Sequence, residues 1–299
     1  MANKPHCLGY EVEVIYKDDY PFLLRQIDKP PRKIYICGKL PSDNNKFLCV
    51  IGSRAHSKYG DEVCKQIIIG LRGAPVVIVS GLAIGIDSLA HKYALEAGLT
   101  TIAVPGSGLA DQILYPRSHT SLAKQILDAG GALMSPFGYD TSGADWTFPV
   151  RNALMAACSH AVLMIEARGD SGTMITANNA LEFSRDLLAV PGSVFSELSQ
   201  GTNSKIRQGA IAVTCAEDVL ESLGLSRTET LATQTLFDLR KLDDMEKKLL
   251  DHLSYPKLRD ELIRDMDIDI SDLNALISSL ELQGAITEEE GFLVRLWKI

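Results

Sequence analysis

The sequence predicts an α/β protein with a doubly wound, mostly parallel sheet, followed by a small helical module. Three observations carry this. Between residues 46 and 223, short apolar runs recur without polar alternation: "FLCVIG", "PVVIVSG", "TTIAVPG", "GALMSPFG", "AVLMIEA" and "LLAVPG". Amphipathic stretches separate most of these runs. Residues 241–299 then carry a pattern of their own, with helical spacing three times over and a closing hairpin. An unbroken apolar run of strand length is what a strand buried on both faces requires, and helices on both faces of a parallel sheet bury it that way.

In chain order, residues 1–45 read as a lead-in that packs on the sheet. Within it "YEVEVIY" alternates as a strand does, "YPFLLRQI" suits a short helix, and "KPPRKIYICG" suits an extended segment and a strand. Residues 46–223 form the extended Rossmann-like domain, with helices expected over Tyr59–Arg72, Ile86–Ala97, Ser118–Ala129 and Thr173–Phe183. Residues 224–240, rich in Thr and without sustained periodicity, read as a linker. Residues 241–299 place helices near "DDMEKKLLDHL", "PKLRDELIRDM" and "ISDLNALISSLELQG" ahead of the hairpin "AITEEEGFLVRL", a winged-helix-like arrangement. The third helix contains Asp272 and Glu281 and no Lys or Arg. A DNA-reading helix needs cations for phosphate and base contacts, so this module reads as a protein-contact or dimer element.

The 299 residues hold 30 Lys and Arg against 38 Asp and Glu, a net charge of −8, which argues against a generally basic nucleic-acid binder. The excess is uneven. Residues 241–299 carry 14 acids and 8 bases, whereas residues 1–240 carry 24 and 22, which leaves room there for a local basic groove. The N-terminus has no apolar signal core and no apolar run approaches membrane-spanning length, so a cytoplasmic location without a membrane partner is expected. The six cysteines form no CxxC pair, and Cys37, Cys49 and Cys158 sit in apolar runs, as reduced thiols do. The six histidines are dispersed, and no metal site is expected.

Strand after strand ends in small residues: Gly52-Ser53-Arg54, Ser80-Gly81, Pro105-Gly106-Ser107-Gly108, Ser135-Pro136, Ser171-Gly172-Thr173 and Pro191-Gly192-Ser193. Parallel strands bring these loops to one carboxyl edge, where open sheets bind ligands. One such loop makes only a tight turn. So many on one edge point to a phosphate-rich ligand approaching main-chain N–H groups at helix starts. Groups for chemistry are sparse. There is no GxxxxGK[ST], which argues against P-loop phosphoryl transfer. "SGLAIG" spaces its glycines as GxxxG, and no acidic residue ends "TTIAV", so a nicotinamide dehydrogenase is disfavoured. The sharper rival is nucleotide cleavage. Cytokinin-activating phosphoribohydrolases carry PGGxGTxxE, whose Glu works at the sugar carbon. In "DSGTMITANNALEF" Gly172-Thr173 is kept, Thr176 takes the carboxylate position, and Glu182 lies six residues further on. Neither a catalytic residue nor a cofactor is expected.

Seven stretches occur in one order over residues 46–214: "VIGSRAHSKYG", "VSGLAIGIDSLAH", "TIAVPGSGL", "YPRSHTSLAKQI", "FPVRNALMAACSHAVLMIEA", "SGTMITANNALEFSRDLLAVPG" and "GTNSKIRQGA". Together they resemble the DNA-processing protein A (DprA/Smf) family, and "DYPFLLRQIDKPPRKIYICG" resembles that family's lead-in. The resemblance implies a non-enzymatic protein that binds and protects single-stranded DNA, forms a homodimer, and loads RecA recombinase in natural transformation and recombination. The alternatives on the same fold are a nucleotide-binding scaffold and a phosphoribohydrolase-like nucleotide hydrolase.

The resemblance also implies roles for individual residues. Ser53 and Arg54 end the first Rossmann strand, with Arg54 as a phosphate contact unless an internal ion pair holds it. Ser80, Gly81 and Gly85 supply hydroxyl and main-chain donors, Asp87 braces their loop, and Gly106 belongs to the next strand-end loop. Arg151 and Asn152 stand at a helix start as DNA contacts. Ser171, Gly172, Thr173 and Thr176 form the second anion loop, and Lys205 is a peripheral phosphate contact. Phe137, Tyr139, Trp146 and Phe148 are candidates for base stacking, with a core role the alternative for Phe148. Two positions depart from the family pattern. Relatives commonly carry a cation where Ile84 stands and a basic residue where Asp170 stands, with Arg168 close enough to compensate. Weaker DNA binding, or a shifted set of cations, is the expected consequence.

Overall fold

The computed structural model describes residues 5–225, 243–253, 257–266, 268–282, 286–289 and 292–295. The chain divides into two compact units, residues 1–230 and 231–299. Most of the expected linker, residues 224–240, lies outside the described residues.

The first unit is built on a ten-stranded sheet. Its strands are β1 (His6–Cys7), β2 (Tyr10–Ile15), β3 (Ile34–Gly38), β4 (Lys46–Ile51), β5 (Val76–Ser80), β6 (Thr101–Ala103), β7 (Ala132–Ser135), β8 (Ala161–Met164), β9 (Asp186–Ala189) and β10 (Ile211–Ala212). They lie in the order β1-β2-β3-β7-β6-β5-β4-β8-β9-β10. From β7 to β10 every pairing is parallel, and β1, β2 and β3 join antiparallel. The winding runs from β4 out to β7, then restarts at β8 on the other side of β4. The switch point therefore falls between β4 and β8.

The helices of this unit are α1 (Phe22–Arg25), α2 (Lys58–Gly70), α3 (Ile86–Glu96), α4 (Thr120–Asp128), α5 (Thr147–Ala157), α6 (Thr173–Glu182), α7 (Gln200–Arg207) and α8 (Ala216–Ser222). Strand β4 shows why its sequence is apolar from Phe47 to Ile51. Successive side chains on a strand point to opposite faces. Phe47, Cys49 and Ile51 pack with Leu154, Met155, Ala177 and Ala180 of α5 and α6. Leu48 and Val50 pack with Ile67 and Ile68 of α2 and with Ile86 and Ala90 of α3.

The lead-in joins the sheet: β1, β2 and β3 continue it beyond β7, and Tyr20 and Leu24 pack into the core on one of its faces. Without β3, strand β7 would end the parallel block with an open row of peptide N–H and C=O groups, which β3 satisfies by pairing Tyr35 to Ser135 and Cys37 to Leu133. Helix α5 begins at Thr147, so Arg151 and Asn152 lie inside it and not at its start. Pro149 is tolerated because it falls in the first turn, where its missing N–H costs no helical bond.

The second unit contains α9 (Asp244–His252), α10 (Arg259–Met266) and α11 (Ile270–Leu282), with strands β11 (Lys257–Leu258), β12 (Ile286–Glu289) and β13 (Phe292–Arg295). The strands form an antiparallel sheet in the order β11-β13-β12. The sequence reading missed β11, which is too short to show a period. A reciprocal capping box starts α9: Asp243 Oδ1 accepts from the Glu246 amide at 2.7 Å, and Glu246 Oε2 accepts from the Asp243 amide at 3.0 Å. Leu249, Leu253, Leu262, Leu273, Ile277 and Leu293 form the small core. Asp272 and Glu281 on α11 are exposed. Among the described residues, no His, Cys, Asp and Glu cluster could hold a metal ion. No helix among them is long and apolar enough to cross a membrane.

Candidate functional site

A cleft of about 520 Å³ opens at the carboxyl ends of β4 and β8, beside the switch point. Adjacent loops leave a sheet in opposite directions there, and the gap between them is the ligand crevice of doubly wound sheets. The loop after β4 supplies Ser53 and Arg54, α5 supplies Phe148, Arg151 and Asn152, and the segment after β8 supplies Arg168, Ser171, Gly172, Thr173 and Thr176.

Arg54 is exposed, and its guanidinium carbon lies 5.3 Å from the centroid of the Phe148 ring. Its backbone is fixed from below. The Ile86 amide at the start of α3 donates to the Ser53 carbonyl at 3.1 Å, and Ser53 Oγ accepts from the Ala55 amide at 3.1 Å. Gly85, at φ 90°, precedes α3 and lies against the backbone of Ser53 and Arg54, so that a Cβ there would collide with both. Gly85 therefore shapes the cleft without lining it.

Arg151 is only 4% exposed. Its Nη1 donates to the carbonyls of Gly81 and of Val104, the latter at 2.9 Å, and lies 3.8 Å from Asp87 Oδ2. Gly81 is required because the guanidinium occupies the space a Cβ would take. Burial holds the Asp87 carboxyl above the usual carboxylate range, offset by Arg151 and by the amides of Ala83 and Gly81. Arg151 thus ties β5, β6 and α3 together and reaches the cleft as part of its wall. An open cation aimed at phosphate, as the sequence suggested, is not what it presents. The reason is tertiary, since its partners lie 47 and 70 residues earlier.

Ser80 and Lys205 are likewise turned inward. Ser80 Oγ is buried and donates to the Val50 carbonyl at 2.7 Å. Lys205 is 6% exposed, with Nζ donating to Asn178 Oδ1 at 2.7 Å and Gln208 Oε1 at 3.3 Å, and it lies outside the cleft lining. Gly106 also lies outside it and accepts from Thr147 Oγ1 at 2.6 Å, fixing the start of α5.

The loop ahead of α6 is assembled as an open cradle. Asn152 Nδ2 donates to the Gly172 carbonyl at 3.4 Å, and Thr173 Oγ1 donates to the Gly52 carbonyl at 3.2 Å, tying α5, α6 and the end of β4 together. Ser171 Oγ is buried without a hydrogen-bond partner among the described residues. Arg168 lines the rim, ion-paired to Glu197. Thr176, in the first turns of α6, is buried at the cleft floor, while Glu182 at the far end of that helix is exposed and outside the lining.

Two residues that sequence reasoning passed over matter here. Glu166, 2% exposed, accepts from the Ser57 amide at 2.9 Å and Ser57 Oγ at 2.6 Å, so this strand-end carboxylate is spent on the N-terminus of α2. A charged residue closing the apolar run "AVLMIEA" was the available signal. Asp145 is exposed and lines the cleft, placing a negative charge beside Phe148. Of the aromatic candidates, Phe148 lines the cleft, Phe137 is buried edge-on to Trp146, and Tyr139 donates its hydroxyl to the His6 carbonyl at 2.6 Å. Ile84 is 55% exposed and, like Asp170, lies outside the lining.

A switch-point cleft walled by small-residue loops and arginines, with the carboxylates of Asp87 and Glu166 bound into the frame, marks a doubly wound protein of the Rossmann-like class. The family model for DNA recombination-mediator protein A matches residues 11–224, and that for the DprA winged helix domain matches residues 234–291; the chain belongs to this family. It is 41% identical over 204 residues to Protein Smf of Escherichia coli K12, covering 68% of this chain and 54% of that protein, so it spans about half the length of that relative. It is 38% identical over 206 residues to the DNA processing protein DprA of Streptococcus pneumoniae, covering 69% of this chain and 72% of the other. The crystal structure of the S. pneumoniae protein superimposes with a TM-score of 0.65 at 37% identity, over 70% of this chain and 73% of that one. A Helicobacter pylori DprA structure, described in terms of its single-stranded DNA binding mode, shares the fold at a TM-score of 0.63 and 24% identity, over 73% of this chain and 98% of that one.

Proposed function

We propose that the chain binds single-stranded DNA along this cleft without chemical turnover, and as a homodimer in the cytoplasm passes the strand to a RecA-type recombinase. One observation carries the reading: exposed Arg54 lies over the ring of Phe148, in a cleft also lined by the start of α6 and by Ser171, whose buried hydroxyl has no partner among the described residues. A cation beside an aromatic face suits a phosphate and its adjoining base together, the pairing an unpaired strand exposes. Membership of the recombination-mediator family supports the hand-off to a recombinase. The carboxylates of Asp87 and Glu166 are both buried in structural bonds, which leaves exposed Asp145 as the open carboxylate among the residues lining the cleft.

Fluorescence anisotropy with oligo-dT, a duplex of the same length and nucleoside monophosphates tests this. Oligo-dT is expected to bind more tightly than duplex, the nucleotides to remain intact, and Arg54→Ala to weaken oligo-dT binding by roughly tenfold. Equal affinity of wild type and Arg54→Ala, or release of free base from a nucleotide, would overturn the reading.

A further inference from the structure

A second groove, of about 560 Å³, lies on the opposite side of α5. Lys29 and Arg32 of the lead-in stand on it with Phe137, Trp146, Val150 and Phe183, and none of the residues lining it is acidic, in a chain of net charge −8. Both cations are exposed, and neither is ion-paired among the described residues. Trp146 is 60% exposed and meets Phe137 edge-on with ring centroids 5.5 Å apart. The groove is preformed, because Tyr20 Oη donates to the Pro31 carbonyl at 2.9 Å and Arg185 Nη2 to the Leu23 carbonyl at 2.9 Å, pinning the lead-in.

Helix α5 is the shared wall. Phe148, Arg151 and Asn152 face the first cleft, Val150 and Leu154 face the groove, and Trp146 stands at the helix start. We propose that this groove takes the next segment of the same DNA strand, with bases against Trp146 and the apolar floor and phosphates beside Lys29 and Arg32. The proposal rests on the single-stranded DNA reading of the first cleft. An apolar floor with an exposed indole and two cations, free of carboxylates, matches a ligand that alternates aromatic faces with negative charges.

The test uses the full chain carrying Trp297→Phe, which leaves Trp146 as the one tryptophan. Oligo-dT of about 5 and of about 16 nucleotides bracket what a single-strand groove covers. The longer oligonucleotide is expected to quench Trp146 and the shorter to leave it unchanged. Lys29→Ala with Arg32→Ala is expected to weaken the longer one by about tenfold and to flatten its salt dependence by about 1.4 log units per log unit of salt, with no change for the shorter. No loss for the longer oligonucleotide, equal loss for both, or protection of Trp146 by an acidic peptide but not by DNA would overturn the proposal. Arg54→Ala separates the two readings, because it weakens both lengths if the first cleft binds DNA and neither if it does not.

Discussion

The guanidinium of Arg54 lies over the ring of Phe148, 5.3 Å from carbon to centroid, joining the loop after β4 to the first turn of α5. Such a contact is worth only about 0.5–1 kcal/mol at an exposed site, too little to matter much for folding. Its consequence is orientation, since a long flexible cation is held at the cleft mouth beside an aromatic face. Phe148 is itself set by Thr147, bonded to Gly106, and by the Tyr115 ring 5.9 Å away. Phe148→Ala is therefore expected to weaken oligo-dT binding by about 1–3 kcal/mol, with Phe148→Tyr close to wild type. Anisotropy titrations of the two variants check this.

Arg151 belongs to the frame. Removing one partner of a buried pair leaves an uncompensated charge, at a cost of about 3–5 kcal/mol. Arg151→Ala is expected to lower the unfolding free energy by that order, as is Asp87→Ala, and the double variant to lose less than the sum. Coupled losses in a denaturation cycle check the assignment. Unchanged stability with lost DNA binding would instead make Arg151 a direct contact.

His91 sets an acid limb to stability. It is fully buried on α3, and Thr101 Oγ1, 2.7 Å from its Nδ1, donates its own hydrogen to the Ile78 carbonyl at 2.9 Å. Nδ1 must then be the donor, and the ring is neutral. Burial takes its pKa from 6.5 to about 3. The unfolded chain binds the proton first, so this stabilisation is complete above pH 6.5 and falls as pH drops towards 3. The slope approaches about 1.4 kcal/mol per pH unit. Urea midpoints measured across that window should decline in wild type and decline less in His91→Gln.

Two substitutions should strengthen binding. Asp145 places an exposed carboxylate in the cleft, and Ile84 offers an exposed apolar side chain on the loop after β5. Asp145→Asn removes a repulsion, and a gain of a few-fold is expected at low salt, shrinking as salt screens it. Ile84→Arg adds a cation and should steepen the salt dependence by about 0.7. Titrations at two ionic strengths read both.

The sheet, its buried strands and the small-residue edge were legible because burial on two faces and tight strand-to-helix turns leave marks within a few residues. Ser53, Arg54 and the loop 171–173 line the cleft for that reason. Arg151 and Lys205 were harder, because whether a cation is open or buried depends on partners such as Gly81, Val104 and Asn178, which spacing does not reveal. Helix α5 mixes apolar and polar residues on two grooved sides, so no single period announces it. The lead-in strands were readable as strands, but their place in the sheet depends on the edge that β7 would otherwise expose.

The central claim, that the cleft holds a DNA backbone through Arg54, is tested most directly by the salt dependence of oligo-dT binding to wild type and Arg54→Ala. The variant's plot of log affinity against log salt is expected to be shallower by about 0.7, the release of about one counterion fewer. Two plots of the same slope and height would contradict it.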